Sequence, residues 1–182
     1  MRNVALSLGA EKAAFIAQGD IVLSPTFRAI CRQNNCGQYG RCHMCPPDIG
    51  PIEHLMEKVR SYEKGLVYQT IHCIEDSFDI EGMLTASHAH ALCSRRIHEA
   101  LEPQFPSGFL HLSVGGCRVC PICTKPDGVP CRFPSAALPS LEGYGVDVYQ
   151  SIKNTTLAYI NGPHTVTYFG LLLFREAEHG HA

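Results

Sequence analysis

Eight of the ten cysteines in this chain of 182 residues fall in two short stretches. The first, CRQNNCGQYGRCHMCPP (31–47), carries Cys31, Cys36, Cys42 and Cys45 and ends in two prolines. The second, CRVCPICTKPDGVPCRFP (117–134), sets Cys117, Cys120 and Cys123 two residues apart, with Cys131 following later. A tight C-x2-C-x2-C loop reaches three corners of a cubane, and the fourth ligand then comes from elsewhere in the chain. Zinc sites are built more often from two close pairs, C-x2-C and a second C-x2-C some 12 to 20 residues on. Here the close pairs 42/45 and 120/123 lie far apart in sequence, and the triplet has one thiol too many for a zinc ribbon. The spacing therefore favours iron–sulfur chemistry, a 4Fe-4S cluster or two. Zinc is the alternative, and plain structural thiols come third.

Composition and charge narrow the setting. At 45% hydrophobic and 18% charged residues, the chain can bury a core without covalent staples, so disulfides are not needed to explain the cysteines. The opening MRNVALSLGAEK makes a poor secretory signal, and no later stretch approaches a membrane span. The expectation is a soluble, cytoplasmic protein, where thiols stay reduced and clustered cysteines bind metal. A net charge of −2 offers no general affinity for nucleic acid or an anionic membrane. Each cysteine stretch is nonetheless locally basic: Arg28, Arg32 and Arg41 stand against Asp48, and Arg118, Lys125 and Arg132 against Asp127. Four thiolates on a core of charge +2 leave about −2, which such cations offset for either metal.

The elements that must position these residues can be sketched. Residues 21–23 read as a short strand ending at Pro25. Residues 51–64 read as a helix with proline in its first turn and Gly65 just past its end. GLVYQTIHC (65–73) has the mix of a buried strand. From Asp79, a plausible cap, to Leu101, apolar positions 80, 83, 84, 92, 97, 100 and 101 outline one face of a long helix that Pro103 stops. GFLHLSV (108–114) is a strand feeding the second cysteine group. Short helices near 136–142 and 146–153 and a last strand at 165–174 complete the pattern. One α/β or α+β domain follows, with helices on a sheet of about four strands and the cysteine loops at one end. Residues 1–20 read as an N-terminal extension and 175–182 as a frayed tail. Cys73 and Cys93 read as small buried hydrophobes rather than ligands. His43 and His111 are the only histidines beside the cysteine groups. No phosphate loop, dinucleotide fingerprint, H-E-x-x-H or nucleophile elbow is present.

These residues resemble a family. Cys31, Cys36, Tyr39, Gly40, Cys45, Pro46 and Pro47, then Cys117, Cys120, Cys123 and Pro130 to Pro134, are similar to the DUF2284 family of predicted metal-binding proteins. So are Pro139-Ser140-Leu141-Glu142, Gly145-Val146-Asp147-Val148 and Tyr168-Phe169-Gly170-Leu171-Leu172. The resemblance runs from about residue 21 to 175. It implies seven ligand cysteines, 31, 36, 45, 117, 120, 123 and 131, with Cys42 outside the pattern, although a simple count of the first group makes Cys42 a possible ligand beside Cys31, Cys36 and Cys45. On the family's count the first group has three thiolates, and its fourth position is open or completed by His43 or by Cys131. The functional expectation is electron transfer, or redox assistance to a partner enzyme, with a redox partner protein and neither nucleic acid nor membrane. A zinc scaffold module, or an enzyme with one open iron, are the competing readings.

Overall fold

The computed structural model describes residues 1–106 and 108–175. Helices α1 (Arg2–Ser7), α2 (Thr26–Gln33), α3 (Ile52–Arg60), α4 (Ile80–Leu101) and α5 (Val148–Ser151) accompany strands β1 (Lys12–Ala17), β2 (Lys64–Cys73), β3 (Leu110–Leu112) and β4 (Thr165–Phe174). The strands form one sheet in the order β1-β2-β4-β3, and every neighbouring pair is antiparallel. The architecture is α+β.

Alternation along the central strands divides the core. Val67, Phe169, Leu171 and Leu173 face one way, meeting Leu55 and Val59 of α3 together with Leu141, Tyr144 and Val146. Leu66, Tyr68, Leu172 and Phe174 face the other, against Ala5, Cys93, Ile97 and Leu101 of α1 and α4. Tyr68 pairs with Gly170 across the β2–β4 ladder. A Cβ at position 170 would stand 2.2 Å from the Tyr68 ring and hydroxyl, so only glycine lets the tyrosine lie over β4.

Several expectations need correction. Residues 21–23 form no strand; Leu23 makes only an isolated bridge to Val146. The first strand is β1, inside the stretch read as an extension, and it borders β2 from Lys12↔Gln69 to Ala17↔Lys64. The helix expected over 51–64 stops at Arg60, and Gly65 lies in β2. The helix expected near 136–142 is absent, replaced by a 3-10 turn at Glu142–Tyr144, while the one near 146–153 shortens to α5 and a further turn.

Helix α4 has the expected extent, and Asp79 caps it by accepting from Gly82 N–H at 2.7 Å. Its buried face matches the expected apolar one only at its C-terminal end, at Ile97 and Leu101. Ile80 is 62% exposed and Leu84 and Leu92 also face solvent, while Ser87, His90 and Ser94 are buried beside Cys93 and Ile97. Small and polar residues let the helix sit close to the sheet because their polar atoms find partners there. Tyr68 hydroxyl lies 2.7 Å from Ser94 Oγ and 2.8 Å from His111 Nε2, and Thr70 Oγ1 lies 2.9 Å from His90 Nδ1. Cys93 is buried as expected, and burial pushes its thiol up to about 11; Cys73 is exposed at the end of β2. Apart from Arg175, the expected tail lies outside the described residues, as do His179 and His181. Among the described residues, no helix is long and apolar enough to cross a membrane.

Candidate metal centre

Cys31 rides on the last turns of α2, which ends at Asn34 in the left-handed conformation. Asn34 Oδ1 then accepts from Tyr39 N–H at 2.9 Å, an Asx-type closure that turns the chain back. Gly40 N–H donates to Pro46 O at 2.8 Å and Cys45 N–H to Cys42 O at 3.0 Å. The first cysteine loop is thus a run of turns braced by its own backbone, with a cis Pro46–Pro47 bond at its exit.

The second loop leaves the end of β3. Ser113 N–H donates to Pro139 O at 2.9 Å and Leu141 N–H to Ser113 O at 2.8 Å. This parallel bridge between Ser113 and Ser140 pinches residues 114–139 at their base. Gly115, at φ 65°, takes the left-handed turn immediately after it. Within the loop, Thr124 hydroxyl donates to Pro130 O at 3.0 Å.

The two loops are fastened to each other. His43 Nε2 donates to Val129 O at 3.0 Å, and Lys125 Nζ pairs with Asp48 Oδ1 at 2.5 Å. Gly116 accommodates Gln38, whose side chain would meet a Cβ there at 2.8 Å.

This packing sorts the thiols. Cys31, Cys36 and Cys45 line one cavity of about 260 Å³, which Glu142 also lines. Cys117, Cys120, Cys123 and Cys131 line a second, smaller hollow together with Cys42. A larger cleft joins the groups, with Cys36 on its wall beside Cys117, Cys120 and Cys123. All eight thiols are free. Among the described residues, no three His, Cys, Asp or Glu side chains stand close enough to clasp a single metal ion.

Cys42, which a simple count would place in the first set, stands at the junction. It is 1% exposed and hydrogen-bonds the thiols of both Cys117 and Cys45. Those bonds hold Cys42 well below the ordinary thiol range, whereas Cys45 and Cys117, as the donors, are pushed up. The Cys31 thiol is raised by burial and by Glu142, partly offset by the buried Arg28.

The two histidines beside the cysteine groups are engaged elsewhere. His43 is held by Val129, and His111 lies in the core against Tyr68, where burial drives its pKa well down. Sequence reasoning met Glu142 only within the family stretch Pro139-Ser140-Leu141-Glu142 and gave it no role. Burial raises its carboxyl, and its Oε2 is sealed from solvent without a hydrogen-bond partner. The signal that could have found it is the acid two residues after Ser140, where the chain re-joins the end of β3.

A cysteine-rich pair of loops around buried hollows suits a metal: soft thiolate donors abound and the first cavity leaves room beside them. The model of the predicted metal-binding protein family DUF2284 matches residues 14–174. The chain belongs to the DUF2284 family. The match covers the whole sheet except the start of β1, and both cysteine loops of this DUF2284 chain lie within it. No curated protein and no solved structure matches the chain.

Proposed function

We propose that this DUF2284 protein is an iron–sulfur protein with two adjoining 4Fe-4S centres that passes single electrons to or from a partner protein in the cytoplasm. Cys31, Cys36 and Cys45 would hold one centre, and Cys117, Cys120, Cys123 and Cys131 the other. The observation that carries this reading is the sorting of the thiols into two neighbouring hollows. A lone zinc ion needs its sulfurs about 2.3 Å from one point, whereas the first three thiols ring a cavity of about 260 Å³, room for a core of several atoms. When bound, a cluster supplies one-electron chemistry at a potential set by charge, hydrogen bonds and exposure.

The chain's own residues fit that use. Arg28 lies buried near Cys31 and lowers the cost of thiolate charge there. Arg118 and Arg132, tied to His88 and to Ile122 O, keep positive charge beside the second group. The cysteines of that group are half-buried, and Ile122 (75% exposed), Val129 and Phe133 of the same loop present an apolar rim to solvent. Such a rim offers a small contact face of the kind that transient redox encounters use.

Anaerobic purification is the test. A brown protein with iron and acid-labile sulfide in equal amounts is expected; a colourless protein with stoichiometric zinc refutes the proposal.

A further inference from the structure

We infer that Glu142 is the fourth, oxygen ligand of the centre held by Cys31, Cys36 and Cys45. The inference rests on the reading of that cavity as the seat of an iron–sulfur cluster. Three thiolates leave a metal site one ligand short, and the other candidates are committed elsewhere. Cys131 lines the second hollow, Cys42 is shared between Cys45 and Cys117, and His43 is tied to the carbonyl of Val129.

Glu142 lines the same cavity as the three thiols. Ser140 and the Gly115 backbone hold one side of its carboxyl, but its Oε2 is buried with no partner, and a buried carboxyl oxygen in that state is costly unless something completes it. Arg28 does not neutralise it: its Nη2 donates to Gly143 O at 3.2 Å and its Nε is unpaired. The backbone holds the carboxyl in place. Glu142 opens a 3-10 turn closed by Gly145 in the left-handed conformation, directly after the Ser113–Ser140 bridge. Replacing one thiolate by a neutral or harder ligand raises a cluster's potential and leaves a position where ligands exchange more readily.

The experiment compares the anaerobically purified full chain with Glu142→Ala, Glu142→Gln and Cys36→Ser. Readouts are metal and sulfide per chain, absorption and EPR spectra with and without added mercaptoethanol, and the Tm of the chelated protein. Cys36→Ser defines how much metal belongs to the first centre. Glu142→Ala should lose that fraction, or keep it with a spectrum that shifts on adding mercaptoethanol while the wild type does not respond. Glu142→Gln should lower metal retention while leaving the Tm of the chelated protein unchanged or higher, because the orphaned acid is gone. Wild-type metal content and spectra in both Glu142 variants overturn the ligand assignment alone. A lowered Tm in both chelated variants also overturns it, showing the carboxyl to be a packing element. Unchanged metal in Cys36→Ser overturns the metal reading of the cavity, and the ligand with it.

Discussion

Acid should unfold this protein through a buried histidine in its helix–sheet core. His90 is fully buried beneath α4. Its Nε2–H donates to Phe169 O at 3.1 Å, and its Nδ1 accepts from Thr70 hydroxyl at 2.9 Å, so both ring nitrogens are satisfied in the neutral form. Burial is the main cause holding its pKa down to about 4, with nearby His72 adding to the effect and the Phe169 carbonyl opposing it. In the unfolded chain the same ring takes a proton near 6.5. Between those values the unfolded state binds more protons, so stability is complete above about pH 6.5 and drains away as pH falls towards 4. At about 1.36 kcal/mol per pH unit, the gap amounts to about 3.4 kcal/mol at most, of which about 2 kcal/mol is lost by pH 5. That is a large share of the ~5–15 kcal/mol that holds a domain folded. His111, also driven well down by burial, pulls in the same direction. Urea unfolding at pH 7, 6 and 5 should therefore show a falling midpoint. In His90→Gln, which keeps polar contacts but cannot titrate, the fall between pH 7 and 5 should shrink by about 2 kcal/mol, even though the variant starts out less stable. An identical pH slope in the two proteins would refute the reasoning.

Other perturbations have equally definite outcomes. Gly170→Ala drives a methyl to 2.2 Å from Tyr68 and should cost about 1–3 kcal/mol or more, read as a lower urea midpoint with metal binding retained if the protein folds. Cys120→Ser should halve or abolish metal content, whereas Cys73→Ser, at the exposed end of β2, should leave it unchanged; the reverse pattern inverts the ligand assignment. Cys42→Ala should keep both the iron content and the cluster spectrum of the wild type if Cys42 only hydrogen-bonds Cys45 and Cys117. Loss of about half the iron would make it a ligand instead.

The parts of the fold legible in the sequence were those with strong local signals. β2 and β4 are apolar runs buried on both faces, and α4 carries a capping aspartate at its start. β1 was illegible because KAAFIA is alanine-rich and exposes Phe15; pairing with β2, not pattern, makes it a strand. The face of α4 was misread for a related reason. Apolar spacing pointed to Ile80, Leu84 and Leu92, but the helix also buries His90 and Ser94, whose burial depends on partners from β2 and β4 that no local window contains. Spacing nominated the cysteines. It could not say that Cys42 would sit with the second group, because that follows from how the loops cross at His43–Val129 and Lys125–Asp48.

The bridge between Ser113 and Ser140 has a consequence for how the second loop can change. Both feet of residues 114–139 are clamped at the edge of the sheet by main-chain bonds that involve none of the cysteines. Residues added between Cys123 and Cys131, where Gly128 turns the chain at φ 68°, would lengthen the excursion without moving either foot. Even doubling a flexible loop costs only about 0.6 kcal/mol in closure entropy. The sheet thus works as a fixed socket and the loop as an interchangeable insert, whose length can be altered while the strands beneath keep their register.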